Sequence, residues 1–354
     1  MAPGKTAILF HELRNRGGAE RIVILMAKLL DADIYTGRWF KEQTYPEFKK
    51  LRVHSFNCSI NNRLANLYIR KKFSNLNLTE YDTVIVHGGS TLAAQHPNII
   101  WYCHAPTRWL YDLYEDEKKK FKPLKRALFI MMATRLRNDD LHCVQRVNTI
   151  IANSKFTQQR VKKYYGRDSI IINPPVNLND FHFTKRKARG DFFLSTARLD
   201  PIKRVDLIIQ AFKELPKERL VIASGGPDEE RLRSMAKECR NINFLGWISD
   251  EELHSLLGEC RATIYMGYQE DFGMCPVESM ASGKPCIATN EGGLRETIIN
   301  NKTGYLIKPT AEAIEKAVRK LTKEKAALMR AACEKRAKQF SEDKFTKKLL
   351  EVLK

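Results

Sequence analysis

At 354 residues the chain exceeds one ordinary domain and fits two α/β domains of nearly equal size, each large enough to bury its own core. Hydrophobic residues at 43% and charged residues at 29%, with no Gly/Ser or Pro tract, exclude a disordered chain. The net charge of +20 is lopsided: residues 1–173 carry 29 Lys/Arg against 15 Asp/Glu, while 174–354 carry 32 against 26, so the first half is expected to face something acidic, general solubility being the plainer alternative.

The chain opens Met1-Ala2-Pro3-Gly4-Lys5-Thr6 without a signal-like apolar core, and no run approaches the ~20 apolar residues a membrane-spanning helix needs. The eight cysteines are scattered singly, which reads as reduced thiols in a cytoplasmic protein and leaves the sequons at Asn57, Asn77 and Asn301 without weight. Thr6-Ala7-Ile8-Leu9-Phe10 reads as a buried strand. A glycine-bearing loop follows, then a helix carrying Val23, Met26, Ala27 and Leu30 on one face. Short apolar runs predict further strands at Asp33–Thr36, Thr83–His87, Ile99–Cys103, Thr149–Ala152 and Ser169–Ile172, the pattern of a doubly wound parallel sheet. Asn173-Pro174-Pro175 closes this block, and a charged stretch from Lys185 to Asp191 follows.

A second series then begins, with strands expected at Phe192–Thr196, Leu220–Ala223, Ile242–Leu245, Ala262–Tyr265 and Pro285–Thr289. Val205, Ile208, Ile209 and Phe212 mark a helix, and Ser249-Asp250-Glu251-Glu252 forms a capping box before Leu253, Leu256 and Leu257. The expected division is a first doubly wound α/β domain over 1–175, a linker over 176–190 and a second α/β domain over 191–337. A helical tail over about 338–354, striped by Phe345, Leu349, Leu350 and Leu353, is expected to pack back on the first domain.

Several segments could carry chemistry. Gly17-Gly18-Ala19-Glu20 stands where the first loop enters the first helix, so its backbone N–H groups could meet a phosphate; a tight turn is the alternative. Arg198 and Lys203, past a strand end and at a helix entry, suit a diphosphate or merely decorate a basic surface. In Glu270-Asp271-Phe272-Gly273-Met274-Cys275-Pro276-Val277-Glu278, free N–H groups over Gly273 to Cys275 would face an anion, and Pro276 suits the first helical position. Glu278 could compensate a helix dipole, but Glu270 lies outside that role and could accept hydrogen bonds from sugar hydroxyls. Asp31-Ala32-Asp33 has a metal-like spacing but no third ligand nearby, and is read as a helix-terminal acid pair, with no metal site. Lys118-Lys119-Lys120-Phe121-Lys122-Pro123-Leu124-Lys125-Arg126, leading into Leu128-Phe129-Ile130-Met131-Met132, joins a basic cluster to an apolar run: an anionic membrane surface is one expected partner, and a packed helix with a solvated face is the alternative. A nucleic acid is not expected, because the basic runs show no recognition-helix, RNP or zinc signature.

Taken together, these segments resemble glycosyltransferase family 4, retaining enzymes of the GT-B fold, whose two Rossmann-like domains face a deep cleft; the resemblance makes 1–175 the acceptor-side domain and 191–337 the nucleotide-sugar donor-binding domain. The resemblance runs through Gly17-Gly18-Ala19-Glu20, Tyr102-Cys103-His104-Ala105-Pro106-Thr107-Arg108, Ile151-Ala152-Asn153-Ser154, Pro174-Pro175-Val176, Arg198 and Lys203, Gly225-Gly226-Pro227, Leu245-Gly246-Trp247 and the two glutamates Glu270 and Glu278. The His-Ala-Pro-Thr-Arg wording resembles mannosyltransferase-type members most. The resemblance implies metal-independent transfer of a hexose, mannose from GDP-mannose as the leading guess or a UDP-sugar otherwise, to a glycan or lipid-linked acceptor. The nucleotide sugar is then a substrate and no cofactor is expected.

It further implies that Arg198, Lys203 and the backbone of Gly17 and Gly18 hold the diphosphate, Glu278 the ribose and Glu270 the transferred sugar. His104 lines the reaction centre, and Gly246, Trp247 and Ile248 border the base. The Phe272, Gly273, Met274 and Cys275 segment approaches the donor, and Gly292-Gly293 approaches it or simply turns the chain. Where related members carry Trp-Asp, this chain has Asp139-Asp140. A non-catalytic sugar-nucleotide-binding protein of the same fold is the alternative function.

Overall fold

The computed structural model describes residues 4–59, 64–185 and 191–354, so residues 186–190 of the expected linker lie outside the described residues. The chain divides into two compact units, Met1–Asn173 with Thr346–Lys354, and Pro174–Phe345.

The first unit holds strands β1 (Thr6–Phe10), β2 (Asp33–Thr36), β3 (Val53–Ser55), β4 (Thr83–Val86), β5 (Ile99–Cys103), β6 (Thr149–Ala152) and β7 (Ile170–Ile171), all parallel, in the order β3-β2-β1-β4-β5-β6-β7. The second holds β8 (Phe192–Ser195), β9 (Arg219–Ile222), β10 (Ile242–Phe244), β11 (Ala262–Tyr265), β12 (Cys286–Thr289) and β13 (Gly304–Ile307), parallel in the order β10-β9-β8-β11-β12-β13. Both are doubly wound sheets, as expected from the apolar runs.

The runs lack alternation because each sheet is covered on both faces. In the second unit Phe193, Leu220 and Ile222 join one apolar cluster while their neighbours Leu194 and Val221 join another. The helix Gly18–Leu30 buries Val23, Met26, Ala27 and Leu30, and the helix Val205–Lys213 buries Val205, Ile208, Ile209 and Phe212, the faces predicted by their spacing. The helix Asp250–Glu259 starts on the predicted capping box: Glu252 N–H donates to Ser249 Oγ at 3.2 Å, and Ser249 N–H donates to Glu252 Oε2 at 2.8 Å. Among the described residues no helix is long and apolar enough to cross a membrane.

Two strands carry no sequence signal. Val53–Ser55 is short and only half-buried, and β13 opens on a glycine after a turn. That glycine is required: Gly304 has φ +149° and pairs with Cys286, and a Cβ there would lie 1.9 Å from the Cys286 carbonyl oxygen. Gly304→Ala is therefore expected to destabilise the second unit by about 2–3 kcal/mol, measured as a loss of urea or thermal resistance, through backbone strain at the β12–β13 edge.

Candidate active site

In a doubly wound sheet the loops leaving two neighbouring strands in opposite directions open a crevice at the strands' carboxyl ends. In the second unit that switch point lies between β8 and β11. The loops that leave there carry Arg198 and Lys203 on one side and Glu270 on the other. After β8, Asp200 accepts the Ile202 N–H at 3.2 Å and shapes the tight turn Pro201–Lys203. The turn brings Lys203 Nζ to 2.6 Å from Glu270 Oε2 and 3.0 Å from Tyr265 Oη, and Tyr265 donates in turn to Glu270 Oε2 at 2.9 Å.

Burial alone would lower the Lys203 pKa, but the Glu270 charge and hydrogen bond raise it overall, so the ammonium stays protonated. Burial, with the Glu270 charge, pushes Tyr265 well above its ordinary value and keeps it a neutral donor. An ammonium has three N–H groups, so this cluster leaves one Lys203 donor for a ligand. Arg198 is exposed, and its side chain makes no hydrogen bond or ion pair among the described residues.

Neighbouring segments clamp the Glu270 loop. Tyr268 N–H donates to the Ile202 carbonyl at 2.7 Å, Gln269 N–H to Glu291 Oε2 at 3.3 Å, and Gly293 N–H to the Glu270 carbonyl at 2.7 Å. Arg204 holds Glu291 at 3.2 Å. A Cβ on Gly292, at φ +52°, would lie 2.4 Å from the Glu270 carbonyl oxygen, so Gly292 and Gly293 serve the backbone of the acidic loop.

The following helix is Met274–Ala281 with Gly273 as N-cap at φ +91°. Pro276 is thus its third residue rather than its first. That place is equally tolerant, because the third N–H of a helix has no intrahelical acceptor. Glu278 is the fifth residue, buried and beyond the first turn, so it is poorly placed for dipole compensation. The Phe272 side chain packs in the core against Phe340, with ring centroids 5.3 Å apart, which leaves only its backbone to face a ligand. Met274 and Cys275 are partly exposed, and burial together with the Glu278 charge pushes the Cys275 thiol up to about 12.

The Gly246, Trp247 and Ile248 segment follows β10 at the same edge of the sheet. Trp247 is 67% exposed and its indole lies over Gly225, where a Cβ would be 2.4 Å from Nε1. The Gly225 carbonyl accepts the Leu199 N–H at 3.1 Å, so the loop of Arg198 rests on the segment beneath Trp247.

In the first unit the switch point lies between β1 and β4. Gly17, extended at φ −114°, is the N-cap of the helix Gly18–Leu30. The buried Glu20 carboxylate folds back against it, and a Cβ on Gly17 would lie 2.7 Å from Glu20 Oε2. This packing supplies its own reason for glycine at position 17.

His104 directly follows β5, and Asn153 Nδ2 donates to its carbonyl at 2.8 Å. Its Nε2 is 2.8 Å from Nδ1 of His87, which directly follows β4 and which sequence reasoning missed. A single histidine ending an apolar run carries no motif, and only the β4–β5 pairing brings the two together. Burial lowers the His104 pKa to about 4, and burial with the neighbouring His104 lowers that of His87 well below its usual range, so both rings are neutral at pH 7.

Asp31 and Asp33 both pair with Arg52, at 2.8 and 2.6 Å. Asp140 is buried, accepting from Tyr111 Oη at 3.0 Å and Tyr165 Oη at 2.8 Å, while Asp139 is exposed.

The two neutral imidazoles set a pH dependence. Between the ordinary value of 6.5 and about 4 the unfolded chain binds protons that the folded His104 does not, so stability falls as pH falls through that window. The slope is expected to reach up to about 1.4 kcal/mol per pH unit per ring. Thermal unfolding from pH 7 to 4.5 should show it, and replacing both histidines by Gln should flatten the curve.

Known proteins resemble the chain in sequence and in fold. The Glycosyltransferase Family 4 model matches residues 16–180, and the Glycosyl transferases group 1 model matches residues 178–340. The chain is 25% identical to the alpha-1,3/1,6-mannosyltransferase ALG2 of Mus musculus, over 98% of this chain and 95% of that protein. It is 26% identical to the Dictyostelium discoideum ALG2, over 86% of each. Among solved structures, Anabaena Alr3699/HepE in complex with UDP and glucose matches with TM-score 0.78 at 19% identity over 99% of both chains. Sucrose-phosphate synthase from Thermosynechococcus elongatus matches with TM-score 0.79 at 16% identity over 98% of both. With its first half matched by one glycosyltransferase model, its second half by another and its fold by GT-B structures, the chain belongs to the family 4 glycosyltransferases.

Proposed function

We propose that this enzyme moves a hexose, with mannose from GDP-mannose as the leading donor, to a glycan or lipid-linked acceptor, with retention of configuration and without a metal ion. The observation that carries the reading is the Lys203–Tyr265–Glu270 cluster beside exposed Arg198 at the switch point of the second sheet. The mannosyl choice rests on the relatives named mannosyltransferases.

In this reading Arg198 and the remaining Lys203 donor neutralise the departing diphosphate, with help from the Gly17 and Gly18 N–H groups. Fixed cations of this kind stabilise charge that develops in the transition state without reorganising. A diphosphate oxygen takes the acceptor's proton as it leaves. Glu270 accepts from hydroxyls of the transferred sugar, Glu278 from the ribose, and Gly246, Trp247 and Ile248 border the base. His104 touches the reacting groups.

Thermal unfolding in the presence of GDP-, UDP- and ADP-sugars tests the donor. A sugar nucleotide at a hundred times its Kd should stabilise the fold by about 2.7 kcal/mol, with GDP-mannose expected to act at the lowest concentration. Glu270→Ala should lower transfer far more than nucleotide binding. No stabilisation by any sugar nucleotide, or unimpaired transfer by Glu270→Ala, would overturn the site.

Attachment to a membrane surface is part of the proposal. On the helix Pro123–Gln145, Phe129 packs inward while Leu124, Leu128 and Met131, at 86%, 61% and 66% exposure, share an outer face, with exposed Lys122 and Lys125 at the same end of the helix. The lysine triplet contributes less charge than its run suggests, since Lys118, Lys119 and Lys120 pair with Glu115, Asp116 and Glu117 one turn earlier. Sedimentation with anionic vesicles at low salt should carry the protein down, and Leu124→Ser/Leu128→Ser should release it. Failure of the unaltered protein to sediment would refute attachment.

A further inference from the structure

His87 lies outside every sequence motif, yet it is 9% exposed and enclosed by Phe10, Tyr102 and His104 at ring-centroid distances of 5.5, 5.8 and 5.1 Å. The His87 and His104 planes are within 23°, and Nδ1 of one is 2.8 Å from Nε2 of the other. Near-coplanar rings at that separation meet edge to edge, where an in-plane lone pair faces an in-plane N–H.

A neutral imidazole has one N–H and one bare nitrogen, so the shared bond couples the two tautomers. If His104 donated through Nε2, the single proton of His87 would sit on its own Nε2. That atom is buried and has no hydrogen-bond partner among the described residues. A buried N–H without an acceptor is rarer in folded proteins than a buried acceptor without a donor. Placing the His87 proton on Nδ1 avoids it. His104 then accepts at Nε2 and carries its own proton on Nδ1. That nitrogen has no partner among the described residues, and the His104 residue is partly exposed.

We propose that His87 is a positioning residue that fixes His104 in the Nδ1–H tautomer, so that His104 meets a ligand as a hydrogen-bond donor and not as a proton acceptor. The functional consequence rests on the reading of His104 as a residue that touches the substrate; the pairing itself does not. As a donor, His104 suits a sugar hydroxyl or phosphate oxygen, and the acceptor's proton is left to another base, in keeping with its transfer to the departing diphosphate. His87 makes no ligand contact in this account. It supplies one hydrogen bond and an orientation.

Long-range 1H–15N correlation spectra of the imidazoles in the full chain at pH 7 test the pairing without any substrate. Both rings should show a protonated Nδ1 and a bare Nε2. His87→Phe, which keeps an aromatic ring but has no donor, should move His104 to the other tautomer or a mixture. His87→Asn, whose amide can still donate from near the Nδ1 position, should preserve it. In transfer assays His87→Phe should lose kcat on the order of tenfold, the worth of about one hydrogen bond, with donor KM little changed, and His87→Asn should recover most of it. A proton on Nε2 of His104 in the unaltered protein overturns the proposal, as does an unmoved His104 tautomer in His87→Phe. Should His104→Ala leave transfer intact, the catalytic reading of His104 fails, and the spectra still decide the pairing.

Discussion

The site depends on one topological constraint, the reversal of strand order in a parallel sheet. Because β9 lies on one side of β8 and β12 on the far side of β11, the chain leaves β8 and β11 in opposite directions and their carboxyl ends are left open between two loops. The residues of the second unit proposed for the donor occupy that opening or its rim: Arg198 and Lys203 after β8, Glu270 after β11, and Trp247 beyond, after β10. The loops are stiff because neighbouring segments fix them with backbone hydrogen bonds, and glycines at 226, 292 and 293 let main chain approach main chain. A site built in this way spends little ordering energy when its ligand arrives.

The two units arrange polarity at their sheet edges in opposite ways. In the second, burial would neutralise Lys203, and the adjoining Glu270 overcomes that tendency. The Glu270 carboxylate keeps Lys203 charged, and Tyr265, held neutral by the same burial, joins them. The result is fixed charge in a partly dry setting, where electrostatic interactions are stronger than in bulk water. In the first, burial has no opposing charge to meet and His87 and His104 are left uncharged. Their edge can orient and donate without adding a net charge.

The surplus of positive charge also divides by role. Many of the basic residues are locally matched and add nothing to it, as in the Lys118–Lys120 run and the Arg231 and Arg319 pairs, which are solvated and contribute little to stability. Arg198 has no such match among the described residues, and it stands at the strand ends where an anionic ligand is expected. The number of basic residues was therefore a weaker guide to function than where an unmatched one stands.

The sequence alone determined the elements and the pattern of burial. Continuous apolar runs marked the strands, 3.6-residue spacing marked Gly18–Leu30 and Val205–Lys213, and the Ser249–Glu252 box marked a helix start, because each is a local rule acting over a few residues. The motif wording also singled out Arg198, Lys203, Glu270 and Glu278. Only the tertiary structure decided which of them meet: Lys203 and Glu270 are 67 residues apart, and it is the β8–β11 pairing that joins their loops. It added Tyr265 and His87, which look like ordinary ends of buried strands until a neighbouring strand brings them a partner. It also moved Phe272 into the core and gave Gly292 and Gly293 to the support of the acidic loop. Periodicity records which way a side chain points, but what it finds there depends on contacts between residues far apart in the chain.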